Sequence, residues 1–436
     1  MDGGGGSFRG LTGCMGSCIV SEAMREHGKT FVLSMTPLFT RDRFGSPQVI
    51  AALLLLVFLL QCIWLASRQL RAQQSTSFGE AERIHAGLRQ LKGQGVAGTP
   101  ETTHSSDAGA TFNEGFDGYR SPLWYLIAAA PFAVLPQSDI SPSGMGWLSR
   151  LPYLCFGVLL GASLWYVARR LFGNAGGYIA LTLYCFAPGT ILSASGGVIM
   201  EPEIGTAWGT FGAIFTSIAV AHTLYAPREV VLWNWRRIIL LALSLTLAIG
   251  SQFSLLVLLP LTLAFMYWVA PTRRGAATVI WISALLVSGL LQLASYAFHP
   301  SLMWKGFLHA RLMPSFQALA TPGVYRQLGS FLAKSSPALV IALPVAFITY
   351  AAWRRARYFG NTAPLLVALL LLVLGLATPH APGAALYVSA LAFLFTFVAG
   401  ILADLLETRH RTLIAAGTFG LLAASALWNV MQLASL

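Results

Sequence analysis

The chain has 436 residues, of which 56% are hydrophobic and 10% are charged, and its mean hydropathy is +0.66. Soluble domains carry about 25% charged residues because their surfaces face water, so this composition excludes an ordinary soluble domain. The formal charge of +12 arises from 28 Lys and Arg against 16 Asp and Glu. The basic residues form short clusters between apolar runs, which is typical of membrane topology and argues against a nucleic-acid partner.

Residues 1–46 are predicted to be a disordered, Gly-rich tail on the cytoplasmic side. The tail contains Cys14 and Cys18, and Met35 offers a second start after Met1; the five cysteines of the chain form no disulfide or zinc pattern. We expect no cleavable signal peptide, because the first apolar run begins near Pro47 and is long enough to remain as a membrane anchor.

Recurring apolar runs predict an all-α integral membrane protein in residues 47–436, a polytopic helical bundle of about eleven transmembrane helices. Loop arginines set the topology, because cytoplasmic loops are enriched in Lys and Arg. Reading 238–270 as one helix would carry Arg273 and Arg274 to the outside, so the charge pattern favours two antiparallel spans. The predicted spans are 47–67, 148–168, 175–192, 204–224, 238–250, 252–270, 276–297, 336–353, 362–378, 383–403 and 412–432.

Residues 122–136 are apolar but short and contain three prolines. We predict an interfacial or re-entrant helix there, packed on the outer face. Two outer loops follow from this topology, at 68–147 and 298–335, and the expected location is the cell membrane with the N-terminus cytoplasmic.

Acidic residues are concentrated in the predicted outer segments, whereas no Asp, Glu, Lys or Arg lies in the middle of a span. A transporter or lipid flippase is therefore disfavoured, since ion coupling usually needs an intramembrane charge. Glu80 and Glu82 lie on a predicted helix with Ile84, Leu88 and Leu91 on one face. This helix either holds a carboxylate near the membrane or is a solvated amphipathic helix.

A second acidic pair, Glu201 and Glu203, flanks Pro202 at the start of the span 204–224. Pro is favoured at a helix start, and the helix dipole favours acids there, which explains why acids are tolerated but not why two are placed at the end of an apolar hairpin. A carboxylate at this position could also act as a base or as a metal ligand.

Several segments between residues 76 and 270 form a recognisable set. They are Ser121-Pro122-Leu123-Trp124-Tyr125-Leu126, Arg150-Leu151-Pro152, Ala168-Arg169-Arg170-Leu171-Phe172-Gly173, Met200-Glu201-Pro202, Ser251-Gln252-Phe253-Ser254 and Leu258-Leu259-Pro260. With these segments the chain resembles the GT-C superfamily of membrane glycosyltransferases, particularly its family-39-like branch of protein O-mannosyltransferases and lipid A aminoarabinose transferases.

The resemblance implies transfer of a sugar from a polyprenyl-phosphate donor to a hydroxyl acceptor on a lipid, glycan or protein at the outer face. Glu80 then corresponds to the catalytic base, with Glu82 as its substitute and Glu201 as the second acid. No cofactor is certain, although a basic group or a divalent metal would stabilise the departing phosphate. The substrate-binding candidates are Ser121, Tyr125, Glu203, Gln252, Arg311 and Arg326.

Three family positions differ in this chain. Gly79 stands in place of an Asp, Ser121 in place of a His, and Gln252 in place of a Lys. A non-catalytic GT-C-like protein that binds a lipid carrier or assembles with the cell envelope is therefore the alternative to a glycosyltransferase.

Overall fold

The computed structural model describes residues 47–72, 78–99, 116–134, 142–196, 202–225, 235–311, 315–378 and 384–435. Within those ranges every regular element is a helix. The chain divides into two units, 1–49 and 50–436. Of the first unit only residues 47–49 are described, so the predicted tail 1–46 lies outside the described residues.

The α-helices are numbered in chain order, and short 3₁₀ turns at Phe253–Val257, Phe316–Ala320 and Arg354–Ala356 lie between them. The α-helices are α1 Pro47–Ala72, α2 Phe78–Leu91, α3 Pro122–Val134, α4 Pro142–Cys185, α5 Pro188–Ala194, α6 Glu203–Thr223, α7 Trp235–Ser251, α8 Leu258–Val269, α9 Arg274–Ser295, α10 Pro300–Leu308, α11 Pro322–Ser335, α12 Pro337–Ala352, α13 Phe359–Ala377, α14 Ala385–Leu406 and α15 Arg411–Ser435.

Seven helices in the described part of the chain are long and apolar enough to cross a membrane: α1, α4, α6, α9, α13, α14 and α15. Helix α14 is the central one, because its residues from Val388 to Ala403 are buried. Helices α9 and α15 lie at the periphery, where Leu286 is 70% and Phe419 is 74% exposed. A buried apolar centre with an apolar periphery is the arrangement of a helical membrane protein.

Helix α4 is a hairpin rather than one long helix. Gly173 breaks it with φ 72° and ψ −172°, a conformation that is essentially restricted to glycine. The Tyr184 hydroxyl donates to the Gly157 carbonyl at 2.7 Å. In a straight helix, residues 27 positions apart would be about 40 Å apart. The chain therefore reverses at Gly173, as the two separate spans 148–168 and 175–192 required.

The second span of that hairpin differs from its predicted bounds. Helix α4 ends at Cys185, and a new helix, α5, begins at Pro188. Proline has no amide hydrogen to donate and is favoured in the first turn of a helix, so it starts α5 and does not continue α4.

Helices α7 and α8 form the antiparallel pair that the charge pattern favoured over one helix. A Cβ atom on Gly209 of α6 would lie 2.8 Å from the Ala248 backbone, which pairs the start of α6 with the end of α7. Leu224, after the other end of α6, is buried in one cluster with Met266 and Ala270. The end of α8 thus returns to the level from which α7 starts.

Arginine-rich turns meet at one end of the bundle, which we call the arginine end. Phe172 contacts Tyr358 there with ring centroids 6.4 Å apart, and Trp268 contacts Phe359 at 5.1 Å. The Thr272 hydroxyl donates to the Tyr225 hydroxyl across two further turns. The arginines in or beside these turns are Arg169, Arg170, Arg236, Arg237, Arg273, Arg274, Arg354, Arg355, Arg357, Arg409 and Arg411; Arg228 lies outside the described residues.

The opposite end of the bundle, which we call the loop end, carries α2 and α3. Both predicted helices exist, at Phe78–Leu91 and Pro122–Val134. Ile84 and Leu88 of α2 are buried against Ala129 and Phe132 of α3. Leu91, which was expected on the same apolar face, is 49% exposed because the helix ends there and a turn follows.

The predicted outer loop 298–335 is largely helical in its described part. It contains α10, a 3₁₀ turn and α11, and α11 meets α12 at an angle of 112°. Short apolar and amphipathic helices of this size give a weak sequence signal, which is why composition alone indicated only a loop.

Candidate functional site

The segment 116–121, before α3, is fastened to three other parts of the loop end by its backbone. The Asp117 amide donates to Gly98 at 2.9 Å, and the Ser121 amide donates to Gly250 at 2.9 Å. The Tyr119 carbonyl accepts from the Phe253 amide at 2.9 Å, and the Gly118 carbonyl accepts from the Arg311 amide at 2.8 Å. We call this segment the latch, because it joins the turn after α2, the end of α7 and the residues after α10.

Asp117 organises the latch from within. One carboxylate oxygen accepts from the backbone amides of Tyr119 and Arg120 at 2.9 and 3.3 Å, and the other accepts from the Tyr125 hydroxyl at 2.9 Å. The side chain is 8% exposed. Hydrogen bonds to a buried carboxylate are stronger than neutral ones, so this residue holds the turn and the start of α3 together.

The predicted substrate-binding residue Tyr125 therefore faces Asp117. Burial raises the pKa of the Tyr125 hydroxyl well above its ordinary value, and the negative charge of Asp117 adds to the rise. The hydroxyl thus remains protonated and acts as a hydrogen-bond donor.

Ser121 and Gln252, two more predicted substrate-binding residues, lie on either side of Gly250. The Ser121 hydroxyl donates to the Gly250 carbonyl at 3.1 Å and accepts from the Leu123 amide at 3.3 Å, which caps the start of α3. Gln252 is 6% exposed and precedes the 3₁₀ turn in an extended conformation.

Buried polar atoms without partners within the described residues occur close to these two side chains. They include the Ser251 hydroxyl and the Gln292 side-chain oxygen. The Gln292 amide nitrogen, which donates to Thr246, is 2.7 Å from a Cβ position on Gly250. Unpaired buried acceptors of this kind are usually satisfied by water or by a bound polar group.

Arg311 is attached to the outer side of the latch. Its guanidinium donates to the Tyr119 hydroxyl at 3.1 Å and lies over that ring at 5.5 Å. The side chain is exposed, so a positive charge faces the solvent at the loop end. Arg326 is also exposed and lies on α11, whose last residue, Ser335, contacts Gly189 of α5.

Glu203, at the start of α6, joins three elements at the loop end. One oxygen accepts from the Ala384 amide at 2.6 Å, and the other accepts from the Ser193 hydroxyl at 2.8 Å. The neighbouring Gly205 contacts Trp124 of α3. Glu203 thus connects α5, α6 and the residue before α14.

The three predicted catalytic acids are described to different extents. Glu80 lies in α2, but its side chain is outside the described part, and Glu201 lies wholly outside it. Glu82 lies in the second turn of α2 and is partly buried. The latch therefore brings together Ser121, Tyr125, Arg311 and the residues around Gln252, whereas Glu203 accepts hydrogen bonds from Ser193 and Ala384.

Three charged residues that the sequence did not single out as site residues, Asp117, Arg120 and Arg150, are buried at the loop end. Asp117 precedes Gly118 and Tyr119, and an Asp-Gly pair before a Pro-initiated helix is a turn signal that could have identified it. Arg150, in the first arm of α4, is 2% exposed and donates to the Gly146 carbonyl at 3.0 Å. Charged side chains are almost never fully buried without a partner, so these residues indicate a structured polar interior.

Among the described residues, no three His, Cys, Asp or Glu side chains are grouped as metal ligands. The divalent metal considered from the sequence stays a prediction.

No family model, curated protein or solved structure matches this chain. The function is therefore argued from the residues and from their geometry.

Proposed function

We propose that this protein is a membrane glycosyltransferase that moves a sugar from a polyprenyl phosphate to a hydroxyl acceptor at the loop end. The observation that carries the proposal is the composition of that end. Two short helices that follow the first span pack on each other there, with Glu82 on α2 and with Asp117 and Arg311 at the segment before α3, while the arginine-rich turns lie at the opposite end.

The proposal includes about eleven crossings and a cytoplasmic arginine end. Packing supports this count: Leu70 of α1 contacts Gly146, and Leu55 contacts Gly161, so α1 starts at the arginine end and runs against the first arm of α4. The proposed crossings continue from there through both arms of α4 and through α6, α7, α8, α9, α12, α13, α14 and α15, with alternating direction.

This topology is tested by adding one cysteine at a time to a variant without the five native cysteines. Lys334→Cys at the loop end and Arg355→Cys at the arginine end, both exposed, are the matched pair. In sealed, oriented vesicles an impermeant maleimide should label them from opposite sides. Labelling from the same side would contradict the topology.

The proposed reaction is a single displacement. The carboxylate of Glu80 takes the proton of the acceptor hydroxyl while that oxygen attacks the anomeric carbon from the face opposite the phosphate. The bond between the anomeric carbon and the phosphate oxygen breaks, and the polyprenyl phosphate departs with the electron pair. Exposed Arg311 offers a positive charge to that phosphate.

The reaction is tested with purified protein in lipid, a panel of polyprenyl-phosphate sugars and hydroxyl acceptors, and detection of released polyprenyl phosphate. Glu80→Gln and Glu201→Gln should each lower release, whereas Glu407→Gln should not. Glu407 is an exposed acid at the arginine end and is the matched control. Release undiminished in both Glu80→Gln and Glu201→Gln would contradict the assigned acids.

A specific observation favours a second candidate function, binding of a lipid carrier without catalysis. Asp117 and Glu203 both use their carboxylate oxygens to hold protein groups. If the loop end only binds, the protein should retain polyprenyl phosphate but release none from any sugar donor. Turnover of one donor by the wild-type protein would exclude this candidate.

A further inference from the structure

The chain turns sharply between α9 and α10. Ala297 and Phe298 both have left-handed backbone conformations, with φ of 51° and 60°. Such values are rare for residues other than glycine, and two in succession direct the chain away from the α9 axis. Phe298 is left 63% exposed by this turn.

Helix α10 then lies level with the ends of α7 and α9. A Cβ atom on Gly306 would be 2.6 Å from the Tyr296 hydroxyl, so the helix folds back against the end of α9. Phe307 packs on Phe253, which follows α7, with ring centroids 5.1 Å apart. Helix α10 therefore stays at the level where two neighbouring helices end.

The other face of α10 exposes large apolar side chains. Trp304 is 65% and Leu308 is 66% exposed, and the four-residue spacing places them on one face. Exposed Lys305 lies beside them. Tryptophan and lysine adjacent to a span are characteristic of the membrane interface, where the indole and the lysine stem are apolar and the charged head reaches water.

We propose that α10 and Phe298 form an interfacial element that inserts into the lipid leaflet at the loop end. The occupant of this face is the boundary between headgroups and acyl chains, with Lys305 directed to lipid phosphate. Continuity with α9 supports lipid over a protein partner, because α9 ends immediately before the turn and exposes Val279, Leu286 and Leu290 along its length. This inference does not rest on the transferase activity.

The element has a consequence for the latch. Arg311 follows Leu308 by three residues, and its amide is bonded to Gly118. Insertion of α10 would thus set the height of the latch relative to the membrane.

The test uses an environment-sensitive fluorophore on Trp304→Cys or Leu308→Cys in the variant without native cysteines, reconstituted in vesicles. Gln327→Cys, exposed on α11, is the control. Spin-labelled phospholipids with the label near the headgroup should quench positions 304 and 308 at least about threefold more than position 327, since an interfacial helix inserts about 5–10 Å. Iodide should quench position 327 most strongly.

Two results would overturn the inference. Equal iodide quenching at 304, 308 and 327 would place α10 in water. Protection from iodide without quenching by spin-labelled lipid would indicate a protein partner, including a second copy. If the cysteine variants do not fold, a phospholipid with a photoreactive group near its glycerol should label peptide 298–308 of the unmodified protein, and labelling no greater than that of residues 326–330 would equally overturn it.

Discussion

The Tyr125 hydroxyl donates a hydrogen bond to the Asp117 carboxylate at 2.9 Å, and both side chains are buried. This bond connects the latch to α3. Because the latch also carries Arg311 and the backbone partners of Gly250 and Phe253, the arrangement of the loop end depends on this pair.

Tyr125→Phe should lower the free energy of unfolding by about 1–3 kcal/mol, because it removes one donor from a buried carboxylate. Tyr325→Phe is the matched control. Its hydroxyl also donates a hydrogen bond, to Leu319, but the side chain is 51% exposed, so we expect a loss below about 1 kcal/mol. Equilibrium unfolding in mixed micelles measures both. Equal losses of unfolding free energy in the two variants would show that burial of the hydrogen bond to Asp117 does not strengthen it.

The Tyr125 pair should also make stability depend on alkaline pH. The pKa of Tyr125 is raised in the folded protein by burial and by the charge of Asp117. The stabilisation that the protonated Tyr125 hydroxyl gives to the folded state is therefore complete below the pKa of the unfolded state, about 10. It is lost as the pH rises through the pKa of the folded state. The stability difference between wild type and Tyr125→Phe should shrink above pH ~10, and a constant difference would contradict the assigned cause.

Glu203→Ala should destabilise the junction of α5, α6 and α14. The variant leaves the Ala384 amide and the Ser193 hydroxyl without their acceptor, and we expect a loss of about 1–3 kcal/mol. Ser193→Ala removes only one of the two bonds and should cost about 1 kcal/mol. Thermal unfolding of both variants in the same detergent tests whether Glu203→Ala is the more destabilising change. A larger effect of Ser193→Ala would contradict the role assigned to Glu203.

Gly173→Ala should destabilise the α4 hairpin by about 1–3 kcal/mol through the backbone alone. Among the described residues, no side chain of another part of the chain lies within 4 Å of a Cβ atom built on Gly173, so a clash with such a side chain does not explain a loss. Gly420→Ala is the control, because its Cβ also meets open space while its backbone is helical. That variant should be neutral or slightly more stable. Equal unfolding free energies for the two variants would contradict the assigned strain.

The helical class and the antiparallel pairs could be predicted from the sequence because they depend on patterns along the chain. Apolar runs indicate helices, and the position of Arg273 and Arg274 required a reversal between α7 and α8. Contacts of Leu224 with the end of α8 agree with that reversal. The break at Pro188 could also have been predicted, since proline favours a helix start, but hydropathy alone extended the predicted span 175–192 across it.

The interior of the loop end could not be predicted in the same way. Its contacts join residues that are far apart in sequence, such as Ser121 with Gly250 and Gly118 with Arg311. Asp117 was one acid among many in a polar loop, and only the fold shows that it is buried. The roles assigned to Glu80 and Glu201 stay predictions, because their side chains lie outside the described residues.

The most direct test of the proposed function measures polyprenyl phosphate released by the reconstituted protein from a panel of polyprenyl-phosphate sugars, with and without a hydroxyl acceptor. Acceptor-dependent release should occur with at least one donor and should fall about 100-fold or more in Glu80→Gln, because general-base catalysis contributes that much. Glu407→Gln should retain the wild-type rate. Equal rates in Glu80→Gln and wild type, or bound donor with no release across the panel, would contradict the proposed catalytic role.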